Sequence, residues 1–219
     1  MKTFVKYLSV GLPQKEIFNG KEVTTGICKK TVSGPIFLSQ TGLEGDGVAN
    51  TKHHGGADKA LCIYSFDHYP YWRKWLGMEL VPSAFGENLT VQDMIEENVC
   101  IGDIFSLGSA VIQVSQPRQP CATLGLRYGA MDLVKEVINT GFTGFYCRVI
   151  QTGYVEKGKS LELQKRDELG VSIAFANRIL HHHKIDLQGI EKVLSVSALS
   201  ESWKKSIEEL HKKAVGQFL

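Results

Sequence analysis

This chain lacks any paired cysteine motif: its five cysteines, Cys28, Cys62, Cys100, Cys121 and Cys147, are odd in number, widely scattered and never in a C-x-x-C arrangement. That spacing suggests neither a disulfide framework nor a cysteine-rich zinc or iron–sulfur site. An excess of one charge is missing as well, with 25 Lys and Arg against 23 Asp and Glu. The balance leaves no electrostatic argument for a nucleic-acid or anionic-membrane partner. No run approaches the ~20 apolar residues of a membrane helix, and residues 1–8 lack the apolar stretch of a signal peptide. A soluble, cytoplasmic protein is therefore expected. The glycine-rich stretch 42–60 has neither the Walker A spacing nor G-x-G-x-x-G, and no flavin or nicotinamide fingerprint is evident that would provide electrons from within the chain.

What is present is a core-forming composition. With 219 residues, 43% of them apolar, the chain can build one large domain with an appendage. Residues 4–10 predict a first strand, 11–22 a polar loop carrying Lys15 and Lys21, and 25–32 and 35–39 two strands joined at Ser33-Gly34. Residues 61–64, 99–107, 110–114 and 144–151 add strand patterns, the last with Tyr146, Arg148 and Ile150 on one face. Helical spacing over 66–76 gathers Tyr69, Trp72, Trp75 and Leu76, which reads as core packing, and 130–138 carries a second stripe.

One stretch concentrates chemistry. Ser115-Gln116-Pro117-Arg118-Gln119-Pro120-Cys121 follows a strand, and its two prolines end the ladder because neither can donate a backbone hydrogen bond. Cys121 thus sits at a stiff strand exit, three residues after a permanent cation. A guanidinium near a thiol favours the thiolate, the form that attacks electrophiles or binds a soft metal. A small buried cysteine beside an Arg that merely pairs with a carboxylate accounts for the same residues equally well.

Five glycines in the fifteen residues 42–56, interleaved with Lys52, His53 and His54 and followed by Lys59, make an anion-friendly loop. A loop that only turns the chain is about as consistent with this composition. His53 and His54, adjacent in extended chain, point to opposite faces and make a poor zinc pair. Phe85-Gly86-Glu87-Asn88-Leu89-Thr90 sets a carboxylate beside an amide, and a turn with a helix cap is the favoured reading there. From Val171 onward three short helices are expected, with Asp186 and Ser200 as caps. Residues 161–219 hold nine Lys and Arg against eight Asp and Glu, so this helical trio has little charge with which to bind DNA. The run His181-His182-His183 fans around a helix and suits a solvated helix end better than one metal.

Taken in order, Gly45-Asp46, His54-Gly55-Gly56 with Lys59-Ala60, Phe85-Gly86-Glu87-Asn88-Leu89, Ile101-Gly102-Asp103, Gln116-Pro117-Arg118-Gln119-Pro120-Cys121 and Gly144-Phe145-Tyr146-Cys147-Arg148-Val149 closely resemble the MOSC family, named for the C-terminal domain of molybdenum cofactor sulfurase. The last helices resemble the three-helix extension of its YiiM-type branch. The resemblance implies a mostly β fold with some α: a MOSC β-barrel with peripheral helices over 1–165 and a small three-helix domain over 166–219. It implies a molybdenum cofactor (molybdopterin) with Cys121 as the metal ligand and catalytic centre. It further implies reduction of N-hydroxylated compounds, including 6-N-hydroxylaminopurine, with electrons from a separate reductase protein.

On that basis His54, Gly55, Gly56, Lys59, Asn88, Arg118 and Arg148 are the expected cofactor-binding residues. Asp46 and Glu87 are expected to orient donors, and Lys21, Lys29 and Lys30 to line the entrance. The helical segment is free to dock a reductase, to pack on the barrel or to form a homodimer. The competing function is a carrier that holds molybdopterin or sulfur on Cys121 without turnover.

Overall fold

The alternation of the sequence closes into a barrel. The computed structural model describes residues 1–50 and 55–216. Its strands are β1 (Lys2–Val10), β2 (Gln14–Phe18), β3 (Lys21–Thr25), β4 (Lys30–Thr31), β5 (Ile36–Ser39), β6 (Gly42–Leu43), β7 (Leu61–Ser65), β8 (Leu89–Val91), β9 (Ile104–Leu107), β10 (Ala110–Pro117), β11 (Phe145–Gln151), β12 (Gly153–Val155) and β13 (Ser160–Lys165). The helices are α1 (Tyr69–Leu76), α2 (Ala122–Tyr128), α3 (Leu133–Thr140), α4 (Ile173–His181), α5 (Leu187–Leu194) and α6 (Glu201–Val215). Seven strands run around the barrel in the order β13-β9-β10-β11-β7-β8-β1, and β1 returns to β13 to close it.

Neighbours in the barrel are antiparallel except β7 and β8, which pair in parallel through Ile63↔Leu89 and Tyr64↔Thr90. A parallel pair needs a crossover. That crossover, 66–88, carries α1 and the Phe85-Gly86-Glu87 turn. Ile63, Leu89, Phe105, Ile112, Val114 and Phe145 fill the interior and are fully buried. Tyr69 and Trp72 of α1 pack with Phe85 in a second cluster, while Trp75 lies at the surface.

Two local expectations are corrected. The predicted loop 11–22 holds most of a hairpin: β2 pairs with β3 from Gln14↔Thr25 to Phe18↔Lys21, around Asn19 and Gly20 with φ of 50° and 78°. Asn-Gly at a two-residue hairpin turn is the composition such a turn demands, but the strands show no apolar alternation because Ile17 and most of its neighbours face water. The predicted strand 25–32 breaks at Gly26, where a Cβ would stand 2.4 Å from the carbonyl oxygen of Gly47.

The C-terminal helices dock on the barrel. Side chains of Ser172, Asp186 and Ser200 cap α4, α5 and α6, and α6 runs 15 residues, longer than the short helix expected. Ile173, Ile179, Ile190, Trp203 and Ile207 belong to the same buried cluster as the barrel interior. Backbone bonds fix the contact: Ile173 N donates to Val99 O at 2.9 Å and Ser200 N to Ser115 O at 3.0 Å.

Gly144, just before β11, has φ +70°, and a Cβ there would lie 2.5 Å from the carbonyl oxygen of Ile63. Gly144→Ala is expected to lower the stability of the fold by about 2 kcal/mol or more, read from urea unfolding.

Candidate functional site

β10 delivers the site. Its ladder with β11 ends at Pro117↔Phe145, and Arg118 N then donates to Gly144 O at 3.0 Å. Cys121, half-buried, caps α2 in extended conformation, and its sulfur accepts the Thr123 N–H at 3.4 Å and lies 3.2 Å from Thr123 Oγ1. The thiol therefore rests against the positive end of a short helix.

Arg118 points inward and is only 6% exposed. Its Nη2 donates to Phe85 O at 2.6 Å, whereas Nη1 is buried with no hydrogen-bond partner among the described residues. Burial opposes the guanidinium charge, but Cys62, Tyr146, Glu87 and Tyr64 around it outweigh that penalty and raise its pKa. Burial pushes the Cys62 thiol up to about 11 and the Tyr146 hydroxyl well above its ordinary value.

Glu87 is fully buried and held by three donors: Tyr69 OH at 2.6 Å and Thr90 Oγ1 at 2.9 Å on Oε1, and Phe85 N at 3.0 Å on Oε2. It fixes the turn whose carbonyl holds Arg118. The helix cap expected here is corrected, because the turn leads into strand β8. Gly86, with φ +78°, leaves no room for a side chain, since a Cβ would stand 2.6 Å from Ile27 Cγ1.

Asp46 plays the matching part on the other side. It accepts from Gly11 N at 2.9 Å and Asn88 Nδ2 at 2.8 Å, and it pairs with the buried Lys29 ammonium. The Asn88 amide also donates to Ser9 O at 3.3 Å and accepts Cys62 N at 3.0 Å. Both its amide protons are engaged within the protein.

Three compartments meet at Tyr146, which lines all of them. The largest, ≈ 690 Å³, is bounded by Lys29, Gly55, Gly56, Lys59 and Asn88. The second, ≈ 260 Å³, holds Arg118, Cys121 and Thr123, and the third, ≈ 420 Å³, lies between Cys121 and the start of α6. Burial lowers the pKa of Lys59, with Asp58 acting in the opposite direction.

The structure therefore brings Gly55, Gly56, Lys59, Asn88, Arg118 and Cys121 to one cleft. Arg148 is a correction: it does not line these compartments. It bonds Asp58 Oδ1 through Nε at 2.9 Å and Gln113 Oε1 through Nη1 at 3.0 Å, steadying the turn that carries Lys59. The expectation for His54 falls outside the described residues. Of the entrance lysines only Lys29 reaches the cleft; Lys21 and Lys30 do not line it. Sequence reasoning missed Tyr146 and Trp203; Tyr146 was legible only as a strand neighbour of Arg148, and Trp203 as a helix core residue.

With this geometry in hand, comparison with known proteins places the chain. The family model for the MOSC domain matches residues 50–162, and the chain belongs to the MOSC family. Residues 171–210 match the YiiM-like 3-alpha helix domain. The chain is 50% identical over 199 residues to the uncharacterized protein YflK of Bacillus subtilis (strain 168), covering 91% of this chain and 90% of YflK. It is 39% identical over 188 residues to the protein YiiM of Escherichia coli (strain K12), 84% of each chain. A protein named Reductase from Gibberella moniliformis (strain M3125 / FGSC 7600) is 39% identical over 172 residues, 77% of this chain but 30% of that protein. The crystal structure of YiiM from Geobacillus stearothermophilus superposes with a TM-score of 0.82 at 34% identity, covering 95% of this chain and 99% of that one.

MOSC domains are associated with molybdenum cofactor binding. The residues here fit such a group. A thiol is a soft donor, and among the described residues Arg118 Nη1 is a buried cationic N–H without an acceptor and a Cβ on Gly56 would meet nothing within 4 Å. No helix among the described residues is long and apolar enough to cross a membrane.

Two outcomes follow from the geometry. Glu87→Gln, which sets an amide against buried donors and removes a carboxylate whose charge acts on the buried Arg118, is expected to cost about 3 kcal/mol in urea unfolding. Iodoacetamide at pH 8 is expected to label Cys121 before Cys62 or Cys147, with Cys62 becoming reactive only as pH climbs toward about 11, followed by peptide mass spectrometry.

Proposed function

We propose that this MOSC protein is an oxidoreductase that reduces N-hydroxylated compounds, among them N-hydroxylated purine bases, to amines at a molybdenum cofactor. The observation that carries this reading is the Cys121 thiol at the junction of two compartments, beside the buried and half-satisfied Arg118. The overall change is R–NHOH + 2 e⁻ + 2 H⁺ → R–NH₂ + H₂O.

Cys121 would ligate the metal, and the bound cofactor would provide a two-electron centre able to accept the hydroxyl oxygen. Arg118 cannot release its proton and serves as a fixed positive charge beside the thiolate. Lys59 and the left-handed backbone at Gly55-Gly56, with φ of 98° and 87°, suit the cofactor's phosphate. Asn88 and Asp46 act indirectly: their mutual bond and the Lys29 pair set the floor of the cleft. Arg148 supports Lys59 through Asp58.

Electrons would come from a separate reductase protein. The relative named Reductase supports a reductive role, and the matched segment is less than a third of that protein.

The test is to express the chain and Cys121→Ala in a host that makes the cofactor, quantify molybdenum, and assay 6-N-hydroxylaminopurine reduction with an artificial donor. The parent is expected to hold molybdenum and turn over, and the variant to fall to background. Equal metal in both would remove Cys121 as ligand, and metal without turnover would favour a cofactor carrier.

A further inference from the structure

The end of α2 far from Cys121 is fastened to the turn that carries Phe85. Arg127 Nη1 stands among three backbone carbonyls, Ile27 O at 3.1 Å and Ser83 O and Ala84 O at 3.2 Å each. Its neighbour Tyr128 donates its hydroxyl proton to Ala84 O at 2.7 Å. Asn19 Nδ2, at the tip of the β2–β3 hairpin, donates to Leu126 O at 3.0 Å, so the last turn of α2 gathers the hairpin and the turn together.

That turn needs holding. Ser83 is fully buried with φ of 59°, a left-handed conformation that L side chains seldom adopt and that persists only where the surroundings impose it. Its hydroxyl donates to Glu87 O at 2.7 Å and its carbonyl accepts from Gly86 N at 3.0 Å, which closes the turn on itself. Tyr69 and Thr90 tie it to α1 and β8, and Arg127 and Tyr128 tie it to the helix that Cys121 begins. Next to Ala84, Phe85 O accepts Arg118 Nη2 at 2.6 Å. The connections form a ring. Cys121 caps the start of α2, Arg127 and Tyr128 end it and grip Ser83 and Ala84, Phe85 grips Arg118, and three residues lead from Arg118 back to Cys121.

We infer that Arg127 is a positioning residue for the Cys121 site: held among three carbonyls at the end of α2, it sets the Phe85 carbonyl and through it the Arg118 guanidinium. The inference deepens the proposed function and rests on it for the part played by Cys121. One nitrogen meeting three carbonyls is a geometry that the three protons of an ammonium also satisfy, so a lysine can stand in where a methionine of similar length cannot. Ile27 and, across from it, Phe85 and Gly86 line the second compartment with Arg118 and Cys121. The same clamp therefore fixes the width of the chamber that holds the thiol.

The test is the rate at which iodoacetamide labels Cys121 in the full chain at pH 8, followed by peptide mass spectrometry, with melting temperatures verifying that each variant folds. With Arg118 released from its fixed place, Arg127→Met is expected to label at least ~5-fold more slowly than the parent, Tyr128→Phe about 2-fold more slowly, and Arg127→Lys at close to the parent rate. Tyr128→Phe changes no charge, which separates positioning from any direct field of Arg127. In an Arg118→Gln background, where there is no charge left to aim, Arg127→Met is expected to alter the rate by less than about 2-fold. An unchanged rate in Arg127→Met, or the same fold loss with and without Arg118, overturns the inference. If Arg127→Met does not fold, Tyr128→Phe decides, and an unchanged rate there overturns it. Turnover of 6-N-hydroxylaminopurine by the cofactor-loaded parent is measured alongside. Slowed labelling without any turnover keeps the role of Arg127 and removes the reductase reading, while turnover with unchanged labelling does the reverse.

Discussion

A buried positive charge organises this protein. Arg118 leaves the end of β10 and turns into the core, where a guanidinium is tolerable only with an anion nearby and carbonyl oxygens for its protons. The Phe85 carbonyl and the Glu87 carboxylate meet that demand, and each is held in turn: Glu87 by Tyr69, Thr90 and the Phe85 N–H, and the turn by glycine geometry at Gly86. The crossover between the parallel strands β7 and β8 is thereby tied to the strand exit that presents Cys121. Loosening any member would expose a charge to an apolar interior, so the thiol's surroundings are as rigid as the core itself.

The second organising contact lies at the seam with the C-terminal helices. Ser115 Oγ donates to Asp58 O at 2.6 Å, Gln116 accepts two serine hydroxyls from the start of α6, and Arg148 clamps Asp58 from β11. The turn carrying Lys59, the strand leading to Cys121 and the first turn of α6 therefore share one polar network. Its lower side continues into an apolar cluster that runs without interruption from the barrel to Trp203 and Ile207. Cleft and helical extension form one packed body in this arrangement, which is why the site has a side made of α6.

Much of the barrel could be read from the chain, because strands that bury one face announce themselves by period-two alternation, as Ala110 to Val114 does. The hairpin β2–β3 could not be read that way, since neither face is well buried, although Asn19-Gly20 marked its turn. The thiol and the cation at the strand exit were legible because proline chemistry dictates where the ladder stops. What the sequence could not show was which polar groups are already engaged. Arg148 looks like an anion binder until Asp58 is seen against it, and Asn88 looks available until Asp46, Ser9 and Cys62 are seen around it. Trp203 shows the opposite case: helical spacing explains its burial but not an N–H that finds no acceptor among the described residues.

The barrel is closed by its first strand meeting its last, with residues 2–4 of β1 against 160–162 of β13. Such a pairing spans nearly the whole barrel sequence, so it pays its loop entropy late and places the fold among slow, topologically non-local ones. A ribosome must have released β13 before the ring can shut, and residue 206 before the cleft has its helical side. The cleft is accordingly among the last features of the molecule to be completed, so a chain cut short anywhere before α6 would carry Cys121 without the wall that faces it.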